Sequence, residues 1–235
     1  MSLTGDYTDV VFYLQLPAFG AAAYVPQIVM ERRLFMRERA DGLYRPMAYL
    51  VFKMLDEMFL LLPVTLVLGA VVFYAMDLTG EFFFISTWAI RLTSSFVTGS
   101  FVLFWLVYYF TLGNGVVLAY LVSAISPNME AANAILPTYV VTLLFFAGWL
   151  IRRDDIPAYW SWYYYVDLMR YSFGALMINQ WEDNDPMWAG GQTLLDAYDL
   201  KGVDKWAYLG YLLVFFFVFF LMALTAITKI DHSRR

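Results

Sequence analysis

Five stretches of this chain run without a single Asp, Glu, Lys, Arg or His: Val10–Met30, Met58–Met76, Phe101–Ile125, Ala131–Ile151 and Trp206–Thr228. Each is continuously apolar rather than alternating, which argues against barrel strands. Each has the length a helix needs, because roughly 20 residues at 1.5 Å rise cross a hydrocarbon core of about 30 Å. With no water inside that core, a helix is how a single segment satisfies its own backbone. The pattern predicts an all-α polytopic membrane bundle of about five transmembrane helices, at about 10–30, 54–76, 101–125, 131–151 and 206–228.

The polar intervals set the orientation. ERRLFMRERADGLYRPMAYLVFK, residues 31–53, holds six of the fifteen basic residues: Arg32, Arg33, Arg37, Arg39, Arg45 and Lys53. Lys229, Arg234 and Arg235 follow the last apolar stretch. Basic residues in short flanks mark the cytosolic side, so the 31–53 bridge and the C-terminus are expected there, with residues 152–205 outside. Within that outer segment, IPAYWSWYYYVDLMRYSFGALMINQW is dense in aromatics around an Asp167/Arg170 pair at i, i+3, the composition of a headgroup-level or re-entrant segment. Phe82–Ser100, interrupted by Arg91 and a Ser/Thr cluster, reads as an interfacial or looping insert.

Composition agrees with the pattern. The chain of 235 residues is 62% hydrophobic and 15% charged, against about 25% charged in soluble domains. Its net charge of −5 argues against a nucleic-acid partner, and the absence of cysteine removes disulfides and thiolate chemistry. MSLTGDYTDV lacks the basic start of a signal peptide, so the first apolar stretch is expected to persist. No GxxxxGK[ST], GxGxxG after a strand, or HExxH occurs, and the lone histidine, His232, sits in the tail. No catalytic residues and no metal site are expected. Asp56 and Glu57 open the second span, and Lys53 stands at i−4 from Glu57, the spacing of an interfacial ion pair. Pro17, Pro26, Pro63 and Pro137 lie within spans and leave hinge and packing roles equally open.

Three motifs in order resemble the membrane domain of a G-type ABC transporter, the class of the white-brown and pleiotropic drug resistance exporters. The 31–53 stretch, with Arg37–Glu38 and Gly42-x-Tyr44, resembles that family's loop between its second and third spans. SAISPNMEAANAILP resembles the short cytosolic turn into its fifth span. FFAGWLIRRDDIPAYWSWYYYVDLMRYSFGALMINQW resembles the end of that span and the external re-entrant segment.

The resemblance implies a permease that exports a lipid, sterol or xenobiotic across a plasma or organelle membrane, working as a homo- or hetero-dimer of transporter halves. It implies a cytosolic coupling helix in which Arg37, Glu38, Gly42 and Tyr44 meet a nucleotide-binding domain. By position, Phe19 and Val141 would face the substrate cavity, and Trp149 and Leu150 the external constriction. The family's first span, connecting helix and nucleotide-binding domain find no counterpart in this sequence, and residues 85–100 look inserted. ATP and Mg would therefore bind on a missing or partner domain, and no cofactor in this chain. The alternative is a truncated, non-transporting paralogue that dimerises with or regulates an intact transporter.

Overall fold

The computed structural model describes residues 20, 23–75, 100–182, 185–187 and 191–230. Five long helices are α1 (Tyr24–Ala40), α2 (Pro46–Ala75), α3 (Ser100–Ile125), α4 (Met129–Phe146) and, last in the chain, α8 (Lys205–Lys229). Between α4 and α8 come a 3-10 turn (Arg153–Asp155) and the shorter helices α5 (Ser161–Val166), α6 (Leu168–Trp181) and α7 (Leu194–Ala197). Among the described residues there is no strand, only one isolated bridge between Met187 and Thr193. The molecule is an all-α polytopic bundle.

Among the described residues, four helices are long and apolar enough to cross a membrane: Pro46–Phe73, Phe101–Ile125, Met129–Phe146 and Lys205–Lys229. Most of the first apolar stretch, including Pro17 and Phe19, lies outside the described residues, as do residues 76–99 with the expected insert. Where the pattern divides a span from a polar bridge at residue 30, one helix, α1, runs unbroken from Tyr24 to Ala40.

The architecture is built around α3. In its apolar window 61% of residues are buried, against 22%, 28% and 22% in the other three spans. It packs most extensively on α8, then on α2, α6, α1 and α4. A helix surrounded by helices can carry polar groups only where they find partners. Thr111 Oγ1 meets Ser172 Oγ of α6 at 2.7 Å, and Asn114 Nδ2 donates to the Leu212 carbonyl of α8 at 3.1 Å. Towards α2, the Trp105 indole donates to Thr65 at 3.2 Å and the Tyr109 hydroxyl to the Met58 carbonyl at 2.9 Å. By contrast, α2 turns Phe52, Leu55, Phe59 and Leu66 outward, the surface a hydrocarbon solvent accepts.

Local chemistry fixes the helix ends. Asn128 caps α4 by accepting from Ala131 N at 2.9 Å, and Asp204 caps α8 by accepting from Trp206 N at 3.0 Å. At the end of α1, Gly42 takes φ +75°. Its N–H donates to the Arg39 carbonyl, and Leu43 N–H to the Glu38 carbonyl, both at 3.1 Å. That is a Schellman closure, which needs a left-handed residue at the position Gly42 fills.

Candidate functional site

The charged bridge folds as a helical hairpin, α1–turn–α2, against one end of the bundle. Along α1 the residues turned inward are Val25, Ile28, Arg32, Phe35 and Arg39, in alternating steps of three and four. Val25, Ile28 and Phe35 are buried. The two arginines end in carbonyl groups that a finished helix leaves unpaired. Arg32 donates to the carbonyls of Ser123 at 2.8 Å, Ser126 at 2.7 Å and Pro127 at 3.1 Å, around the C-terminus of α3. Arg39 donates to the carbonyls of Ile227 at 3.0 Å and Thr228 at 3.2 Å, at the C-terminus of α8. A guanidinium there both satisfies orphan acceptors and opposes the negative pole of each helix.

The hairpin is closed by a second set of contacts. Lys53 Nζ pairs with Glu31 Oε2 at 2.6 Å, and Gln27 Nε2 donates to Glu31 Oε1 at 3.1 Å. The Lys53–Glu57 pair expected from i, i+4 spacing is therefore replaced by a pairing across the hairpin. Packing α1 on α2 brings the Glu31 carboxylate within reach of Lys53, while Glu57 turns into the buried side of α2. Burial alone would raise the Glu31 carboxyl, but the bonds from Lys53 and Gln27 and the Lys53 charge outweigh it and hold the group below its ordinary value.

At the hairpin's tip Tyr44 Oη bonds the Glu38 carboxylate. Desolvation, with the hydrogen bond and charge of Glu38, pushes the Tyr44 phenol up to about 12, so it remains a donor throughout the physiological range. Phe35, Tyr44 and Tyr49 form a ring cluster, with centroids 4.4 Å apart for Phe35–Tyr49 and 5.9 Å for the stacked tyrosines. Beside it an apolar groove of about 480 Å³, lined by Leu34, Phe35, Glu38, Tyr44, Tyr49 and Phe52 among others, opens between α1 and α2.

The four expected coupling residues thus part company. Glu38, Gly42 and Tyr44 build the turn, whereas the Arg37 side chain projects from the exposed face, with no hydrogen-bond or ion-pair partner among the described residues. Met30 and Leu34 share that face, at 67% and 54% exposure. Arg32 and Arg39, which composition registers only as positive charge, are the ones that reach other helices. Their signal in the sequence is positional: both fall in the 25, 28, 32, 35, 39 stripe, where apolar residues would be expected.

The opposite end of the bundle carries the remaining expected residues. Val141 lies on the exposed side of α4, at 38%. Past the end of α4, Gly148 takes φ +99° against the Tyr164 ring, and Trp149 is half-buried against the core while Leu150 is 47% exposed. Phe19 lies outside the described residues.

The Asp167/Arg170 pair does not form. Asp167 is buried and caps α6, accepting from Met169 N at 2.8 Å. Arg170 instead stacks on the rings of Tyr164, Tyr165 and Tyr171, with its central carbon 4.1, 4.8 and 5.4 Å from their centroids. The guanidinium takes the tyrosine faces, and the second carboxylate oxygen of Asp167 is left without a hydrogen-bond partner among the described residues. Burial raises the Asp167 carboxyl well above its ordinary value, despite the backbone bonds and the Arg170 charge that pull it down. On the same side a polar recess of about 100 Å³ is lined by residues including Arg152, Arg153, Tyr198 and Asp199, with Arg153 and Asp199 ion-paired.

Among the described residues no group of three or more His, Asp or Glu could hold a metal ion.

Comparison with known proteins matches residues 10–181 to the family described as ABC-2 type transporter. ABC transporter G family member 19 of Arabidopsis thaliana is 27% identical over 180 residues, 77% of this chain and 23% of that protein. ABC transporter G family member STR2 of Medicago truncatula is 25% identical over 198 residues, 84% of this chain and 25% of its own length. ABC transporter G family member STR, also of Medicago truncatula, is 28% identical over 195 residues, 82% and 21% respectively. The chain spans about a quarter of the length of the curated relatives it matches.

Proposed function

This chain belongs to the ABC-2 type transporter family and fits the membrane domain of a G-type member, and from that premise we propose that it is the permease portion of an ATP-driven exporter. Its cargo is a hydrophobic or amphipathic molecule: a lipid, a sterol or a xenobiotic. As the membrane part of that exporter, the protein binds, encloses and releases the cargo. ATP and Mg act on a nucleotide-binding domain in another region of the polypeptide or in another chain. Two transporter halves pair, with Phe19 and Val141 on the cavity side and Trp149 and Leu150 at the external constriction. The hairpin and the C-terminus face the cytosol.

The observation that carries the proposal is the two-faced helix α1. Its inner face is fastened to the ends of α3 and α8, and its outer face leaves Met30, Leu34 and Arg37 uncovered. A helix fastened on one side and open on the other is built to receive a push and pass it inward. In this role Arg37 meets the nucleotide-binding domain directly, while Glu38, Gly42 and Tyr44 hold the turn that presents it.

The test is ATP-dependent uptake of fluorescent sterol and phospholipid analogues into inside-out vesicles carrying the complete transporter. Arg37→Ala is expected to reduce ATP-driven uptake at unchanged protein level, and Val141→Trp to change which analogue is preferred. Uptake and preference unaltered by both substitutions would remove the reading.

A further inference from the structure

α1 offers two kinds of arginine, and the inward pair has a geometry the coupling role does not require. Arg32 and Arg39 are seven residues apart, about 10.5 Å along a helix. That matches the roughly 8–10 Å between the axes of packed helices, and the two helices they reach, α3 and α8, are the most extensively packed pair in the bundle. Each arginine holds at least two carbonyls of a helix end. At a membrane surface water could satisfy those carbonyls equally well. Two planar forks at that spacing therefore do something solvent does not: they tie two helix ends to one rod.

We propose that Arg32 and Arg39 are positioning residues that form a double clasp, so that α1, α3 and α8 move as one body during the transport cycle. The proposal rests on the coupling reading above and deepens it by naming the route inward. Movement received on the face of Met30, Leu34 and Arg37 passes through the clasp to α3, which contacts α2, α4, α6 and α8. The Glu31–Lys53 pair adds α2 to the same body. The proposal excludes a hairpin that slides across the helix ends.

This chain has no cysteine, so introduced cysteines are its only thiols, and the bridging reagent applied to the native transporter controls for thiols elsewhere in the assembly. In the complete transporter with its nucleotide-binding domains, reconstituted in lipid nanodiscs, Arg39→Cys is combined with Thr228→Cys. The pair is then bridged with a bis-methanethiosulfonate reagent about as long as an arginine side chain. ATP is the probe, and turnover per assembled transporter and the melting midpoint are the readouts. The unbridged variant is expected to lose roughly fivefold or more of its turnover, the scale of typical coupling between sites, and the bridge to restore it to within about twofold.

Arg39→Lys, which keeps the charge but not the fork, is expected to fall between native and unbridged turnover, and it serves if the double variant does not accumulate. A bridged transporter that is inactive, meaning α1 must slide, overturns the proposal. So does native turnover in Arg39→Lys or in the unbridged pair, or a turnover that follows the melting midpoint alone. Arg37→Ala, run alongside, reads the outer face: unchanged turnover there defeats the coupling assignment, while the clasp still stands or falls on the bridge.

Discussion

Gly174→Ala tests the packing of the aromatic segment between α4 and α8 onto the last span. Gly174 is buried in α6, and a Cβ built on it would lie 2.3 Å from Cε2 and 2.8 Å from Cδ2 of Tyr208, and 3.0 Å from Cδ2 of Leu200. Carbon atoms settle at about 3.5–4.0 Å, so the Tyr208 ring must retreat by roughly 1.2 Å or more. It has little room to do so, being buried and set edge-on to Tyr171 at 5.3 Å. Overpacking of this kind costs about 1–3 kcal/mol, or roughly 2–12 °C in melting midpoint for a domain near this size. Alanine's better helix propensity returns at most about 1 kcal/mol. The assay is the melting midpoint in one fixed detergent of Gly174→Ala, Tyr208→Leu and the double variant. The double variant is expected to lose less than the two single losses added together, because removing the ring makes room for the methyl. A melting midpoint unchanged in Gly174→Ala, or strictly additive losses, would falsify the close approach of α6 to α8.

Gly42→Ala places a side chain at φ +75°, a strain of about 1–2 kcal/mol; it is expected to speed proteolysis within residues 40–46, and an unchanged cleavage pattern counts against the Schellman closure. Glu31 has a lowered folded value, so its contribution is present above the ordinary glutamate range and is lost as pH falls through the folded value. Protection of the α1 amides, with each exchange rate taken relative to that of an unfolded peptide at the same pH, should therefore fall on acidification, and Glu31→Gln should flatten that response; equal slopes refute the pairing. Asp167 has the opposite sign: its folded value is raised, so stability is greatest below the ordinary aspartate range and declines as pH climbs through the raised value. Asp167→Asn keeps a capping oxygen and removes the ionisation, and its melting midpoint should exceed the native one at neutral pH; a loss at neutral pH would show the carboxylate is needed charged.

How much of this was legible in the sequence depends on whether a residue's partner is near in the chain or far. Four of the apolar stretches fall on helices long and apolar enough to cross a membrane, because twenty uncharged residues have few alternatives, and Asn128, Asp167 and Asp204 stand immediately before helices they cap. Gly42 could be read as special because a left-handed turn closes within six residues of chain, between Glu38 and Leu43. Pairings across helices were not legible. Lys53 has Glu57 at ideal helical spacing, yet Glu31 on the neighbouring helix takes it, because the two long side chains meet across the hairpin while Glu57 is buried on α2. Arg32 and Arg39 bond carbonyls 91 to 95 and 188 to 189 residues away, and backbone carbonyls leave no trace in residue type. Counting positive charge singled out the segment, but could not tell an arginine that meets solvent from one that closes a helix.

That distinction changes what the basic bridge means physically. Charges placed only to orient a protein need no particular face, and any arginine in the segment would serve. Here position around α1 separates the roles: residues 32 and 39 lie on one stripe with Val25, Ile28 and Phe35, and residue 37 lies nearly opposite, beside Met30 and Leu34. Exchanging Arg39 with Ala40 would preserve net charge and composition yet rotate the guanidinium by about 100°, away from the α8 carbonyls. An orientation signal would survive that change and a clasp would not. The arrangement of the bridge, more than its charge, is therefore what links a surface helix to the buried centre of the bundle.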